Sequence, residues 1–181
     1  MESKFVGQLL DAARPFLRID GVERQDWCRN VAKGARRGPW RYKAVYRVLD
    51  ETGWSTAGEV LYMVRNADGE LRLVGQSSRR LKDRWRVSPM YDLARTAQTG
   101  KALFHSTAWP AIERAFDEEA APFTVLALFR GDLERLLASD GLRGALEVLP
   151  TTGSLAEAVE SHILVTAGQS MRLWNRAGTR A

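Results

Sequence analysis

The stretch from Val60 to Trp85, VLYMVRNADGELRLVGQSSRRLKDRW, constrains the fold more than any other part of the chain. Residues 59–65 read as a strand. Asn66-Ala67-Asp68-Gly69 follows, and Asn, Asp and Gly accept the backbone angles of a tight turn. Residues 70–75 read as the return strand, closing on Gly75. Ser77 or Ser78 is placed to cap a helix over Arg79–Arg86, which carries Arg79, Arg80, Lys82, Arg84 and Arg86. A chain built this way commits early to an antiparallel pair with a basic helix beside it.

The flanking sequence is less decisive. Residues 3–17 place Phe5, Leu9, Leu10, Ala13 and Leu17 at helical spacing, with Pro15 obscuring the end. Residues 21–35 read as a second helix with Val22, Trp27 and Val31 on one side. Residues 42–49 fit helix or strand. The turn-rich stretch over 51–58 marks an expected boundary between a helical, basic and aromatic accessory segment (1–55) and a main domain (56–181). Helices are expected over 90–97, 110–120 and 141–148. Residues 123–129, FTVLALF, read as a buried strand, after which Asp132 caps a helix through Leu137. Ser154 caps a helix to about Thr166 with the apolar set Leu155, Val159, Ile163 and Leu164. The expected architecture is α/β (α+β): a small, mixed, mostly antiparallel three-stranded sheet flanked by helices, with an N-terminal helical extension.

Charge narrows the partners. The net charge is +5, and the excess lies in the first hundred residues. Eleven basic residues fall between Lys4 and Arg47, whereas from Lys101 onward eight basic residues face ten acidic ones. Such a half favours a polyanion by displacing counterions from phosphates, and equally serves as a solvated surface. No apolar run reaches the ~18–20 residues of a membrane span. The N-terminus lacks the apolar core of a signal peptide, and Cys28 is the only cysteine, so a cytoplasmic setting is expected. The two histidines, His105 and His162, form no zinc pattern with it.

Several residues have the chemistry to handle a phosphodiester. Arginine grips phosphate bidentately where lysine cannot, which recommends Arg84. A lone helix carboxylate such as Glu160 can hold Mg²⁺, which keeps most of its waters. Tyrosine ionises near ~10, so Tyr62 needs positive charge nearby to act as a base. Each also has a plainer reading: a half-buried strand tyrosine, a turn glycine at Gly75, a solvated basic face, a surface acid rivalled by Glu157, and a capping asparagine at Asn175. His162 lies two residues beyond Glu160, about 200° around a helix, so the two share no metal.

In combination these residues resemble the GIY-YIG nuclease superfamily. Val60-Leu61-Tyr62 stands in the GIY place, Leu73-Val74-Gly75 in the YIG place, and Arg84-Trp85 where the helix arginine belongs. Glu160, Ile163-Leu164 and Leu173-Trp174-Asn175 follow in the order of the family's last helix and asparagine. Val60 replaces the first glycine and Leu73 the second tyrosine. The resemblance covers residues 59–175 and implies a Mg²⁺- or Mn²⁺-dependent DNA endonuclease. In it Tyr62 is the base, Arg84 the phosphate clamp, Glu160 the metal ligand and Asn175 an orienting group. Lys82 is the candidate, by charge, to replace the second tyrosine. Restriction of foreign DNA is the implied setting, and symmetric double-strand cleavage would require a homodimer or two nicks. Contacts to single- or double-stranded DNA are expected from Arg36, Arg37, Trp40, Arg41, Lys43, Gly75, Arg79, Arg80 and Arg86. The alternative is a module of the same fold that binds nucleic acid or regulates without cutting.

Overall fold

A computed structural model of the chain describes residues 2–28, 40–85, 121–139, 154–166, 171 and 173–175. The elements run α1 (Glu2–Ala12), β1 (Arg14–Cys28), β2 (Trp40–Val48), α2 (Glu51–Ser55), β3 (Val60–Arg65), β4 (Leu71–Ser77), α3 (Leu81–Arg84), β5 (Phe123–Phe129), α4 (Arg130–Ala138) and α5 (Leu155–Thr166). The five strands form one sheet in the order β2-β1-β5-β3-β4, and every pairing in it is antiparallel. The α+β class is as expected. The sheet is larger than the expected three strands because β1 and β2 join it.

The N-terminal helix ends at Ala12, before Pro15. Residues 21–28, expected to be helical, instead continue a strand that pairs with β2 as far as Cys28↔Trp40. Tertiary pairing with β2 overrides the weak helical spacing there, while the earlier part of β1 lies against β5, with Ile19 opposite Phe123. Pro15 is tolerated because it sits at a bulge near the start of β1. The turn-rich stretch after β2 holds the short helix α2, capped by Asp50, whose carboxylate accepts from the Gly53 amide at 2.8 Å. Residues 90–97, 110–120 and 141–148 lie outside the described residues.

β5 is the middle strand, buried on both sides, which is why FTVLALF is continuously apolar. The alternation along β3 separates two cores. Leu61 and Met63 join Val74, Leu126 and Leu128 beneath α1, α4 and α5. Val60, Tyr62 and Val64 face the other way, toward Phe16, Leu73, Phe123, Leu81 and Trp85. β4 changes face at a bulge: Leu73 pairs with Val64 and Leu71 with Arg65, so the register on β3 skips position 72. Leu71 therefore serves the first core and Leu73 the second. The hairpin turn closes as the sequence implies. The Gly69 amide donates to Asn66 O at 3.1 Å, and Gly69 has φ +84°, which only glycine adopts cheaply. Helix α4 begins at Arg130 rather than at Asp132. Asp132 instead sits in its first turn and accepts from the Phe129 amide at 3.3 Å. None of the described helices is long and apolar enough to cross a membrane.

Candidate active site

Tyr62 is the centre of the second core. On β3 it pairs with Gly75 of β4 on one side and Ala127 of β5 on the other. A large ring between two of the smallest residues can lie flat along the sheet. A Cβ on Gly75 would fall well inside van der Waals contact with Tyr62 Cζ, Oη and Cε2. The missing side chain is therefore the channel through which the phenol crosses the edge strand. Trp85 closes over the ring edge-on, with centroids 5.4 Å apart. Ring and indole are both buried.

Helix α3 has only four residues and would not persist alone. It is fixed because Leu81, its first residue, and Trp85, one turn on, are both fully buried in the same core. That anchoring brings Arg84 onto Tyr62: Nη2 donates to the phenolic oxygen at 2.8 Å and Nε at 3.0 Å. Two donors from one planar guanidinium occupy the acceptor side of the hydroxyl. Burial pushes the Tyr62 phenol above its usual 10.0; the charge and hydrogen bonds of Arg84 oppose the shift, and the Glu160 carboxylate adds to it. Glu160, on α5, is thus close enough for its charge to act on the phenol. Glu157, its rival, is solvent-exposed.

Beside this group is a 330 Å³ depression lined by Gln76, Ser77, Ser78, Arg79, Asp83 and Arg84. Ser77 shapes its floor, accepting from the Arg79 amide at 3.1 Å. Asp83 is neutralised by Arg80 at 2.7 Å, so the lining keeps the positive charge of Arg79 and Arg84. The Gln76-Ser77-Ser78 lining has a sequence signal in the QSS between a strand and a basic run.

The structure thus brings together Tyr62, Arg84 and Gly75, with Arg79 on the neighbouring wall and the Glu160 charge acting on the phenol. Lys82 is half-buried on α3. Asn175 is engaged with the strand edge: its Oδ1 accepts from the Val74 amide at 3.0 Å, and its Nδ2 donates to Val74 O at 2.7 Å. It imitates a strand partner that β4, among the described residues, lacks on that side. Asn175→Ala strands both backbone groups, and we expect it to cost about 1–3 kcal/mol in chemical denaturation and to speed amide exchange at Val74. Unchanged exchange there would contradict the clamp. His162 packs edge-on against Phe5, with centroids 5.2 Å apart, away from this group. Trp40, Arg41 and Lys43 lie on β2, which is described by its backbone alone at those positions. Arg36, Arg37, Arg86 and His105 lie outside the described residues.

Comparison of the chain with models of known protein families, with curated proteins and with solved structures finds no match.

Proposed function

We propose that the chain is a divergent GIY-YIG-type endonuclease that hydrolyses phosphodiester bonds of DNA, with a role in defence against foreign DNA. The observation that carries the reading is the doubly bonded Tyr62–Arg84 pair, laid across Gly75 and within reach of the Glu160 charge. A phosphodiester seated in the adjoining depression would meet Arg79 and Arg84, which offset its charge and orient it. Tyr62 would accept the water's proton in its ionised form, and Arg84 is the cation that works against the burial disfavouring that form.

The donor set tests which ion fits. Among the described residues no three His, Cys, Asp or Glu side chains gather. A single carboxylate, Glu160, would suit Mg²⁺ or Mn²⁺, with solvent and substrate oxygens completing the shell. When bound, the ion would supply charge neutralisation at the scissile phosphate.

A second reading is a nucleic-acid-binding module without cleavage. It is favoured by Leu73, which takes the second tyrosine's place and is packed into the core at 6% exposure. One assay separates the two. Incubated with single-stranded, double-stranded and branched DNA in Mg²⁺, the chain is expected to cut at least one form and to stop on addition of EDTA. Salt-sensitive binding without cleavage in Mg²⁺ or Mn²⁺ would sink the first reading in favour of the second.

A further inference from the structure

Glu59 stands three residues before Tyr62, at the entrance to β3, with its side chain 12% exposed. Its Oε1 accepts from Ser154 Oγ at 2.8 Å and from the Ala156 amide at 2.5 Å. Its Oε2 pairs with Arg130 Nη1 at 3.2 Å, and its backbone carbonyl accepts from the Arg130 amide at 3.0 Å. Ser154 passes the contact on, accepting from the Glu157 amide at 3.1 Å. One carboxylate thus takes the Ala156 amide and the Ser154 hydroxyl at the opening of α5 and, through Arg130, holds the start of α4.

The consequence lies one turn further along. A helix turns about 100° and rises about 1.5 Å per residue, so fixing its first turn fixes where residue 160 points. Buried Val159 and Ile163 hold the apolar face of α5 against the sheet. A carboxylate at that end also meets the positive end of the helix dipole.

We propose that Glu59 is a positioning residue: by tying the first turn of α5 to the strand that carries Tyr62, it sets the Glu160 carboxylate against the Tyr62–Arg84 pair. The catalytic consequence rests on the endonuclease reading; the tie between β3 and α5 does not.

The test uses the full chain as wild type, Glu59→Ala and Glu59→Gln, with two readouts. The first is amide exchange across 155–160. Glu59→Ala should speed it by about tenfold or more, and Glu59→Gln, which keeps an oxygen for Ser154 and Ala156, should recover most of the protection. The second is cleavage in Mg²⁺. Glu59→Ala should lower kcat by about 10–100-fold with KM for DNA little changed, as for groups that orient a metal ligand, and Glu59→Gln should lie between it and wild type. Exchange unaltered by Glu59→Ala overturns the proposal. So does a loss of activity that the glutamine fails to relieve, or one that appears only as a fall in melting temperature. Altered exchange in a chain whose wild type cuts no DNA upholds the tie and overturns the endonuclease reading alone.

Discussion

Tyr62→Phe should slow Mg²⁺-dependent cleavage by about 10²–10⁴-fold, the usual contribution of a general base, while DNA affinity stays near that of wild type. The pH profile carries more information than the rate. Burial first, and the Glu160 charge with it, hold the phenol protonated beyond 10.0 in spite of Arg84. Only the ionised fraction accepts a proton, so the wild-type rate should rise about tenfold per pH unit from neutrality upward, with no plateau before 10. Arg84→Gln removes the influence that lowers this pKa and should displace the rising limb to still higher pH. A plateau near pH 7, or a Tyr62→Phe chain that cuts as fast as wild type, would remove Tyr62 from the role. The same ionisation acts on stability. The folded-state pKa lies above the unfolded 10.0, so the protonated phenol's contribution is complete below pH 10 and is lost as pH climbs through the folded value. Tyr62→Phe abolishes that alkaline loss. It also leaves Arg84 without two bonds, at a cost of about 1.5–3 kcal/mol at neutral pH.

The hairpin was legible because its signals are local: Asn66 through Gly69 specify a turn, and the residues on either side are of strand length and character. FTVLALF was legible because a strand covered on both faces needs no alternation. Ser154 was legible as the cap of α5, and the structure bears this out. Residues 21–28 misled because Val22 and Trp27 give only a thin helical pattern, while the partner that makes them a strand, residues 40–45, lies beyond a Gly-Pro break. At the candidate site, Tyr62, Gly75 and Arg84 sit within one continuous stretch, so their juxtaposition follows from a hairpin and a short helix. Glu59 left no comparable trace. Its partners Ser154 and Ala156 are 95 and 97 positions away, and an acid before a strand is ordinary in sequence. Asn175, 101 positions from Val74, was singled out by motif order, yet its contact with the strand edge has no local signature.

Gly75→Ala should be the most damaging single-methyl change in the described hairpin, costing about 1–3 kcal/mol by overpacking and removing activity together with stability. A glycine here has ordinary backbone angles, so conformational freedom does not explain it; among the described residues φ is positive only at Gly58 and Gly69. The cause is steric. The added Cβ meets the far end of the Tyr62 ring, and a flexible side chain would step aside. Tyr62 has little room to do so. Trp85 lies edge-on against it, Arg84 holds its hydroxyl twice, and the strand fixes its Cα between β4 and β5. To admit the methyl, the ring must swing out of contact with Arg84 or β4 must separate from β3. Ala127, the neighbour on the other side, already carries the Cβ that Gly75 lacks, so the ring has one open direction. A double-mutant cycle with Tyr62→Leu tests this directly. With the ring gone, Gly75→Ala should become nearly neutral, giving a coupling of about 0.5–3 kcal/mol in urea denaturation. Strict additivity would mean that the two residues do not share this space. In that case the route by which the phenol reaches Arg84 would have to lie elsewhere than across the glycine.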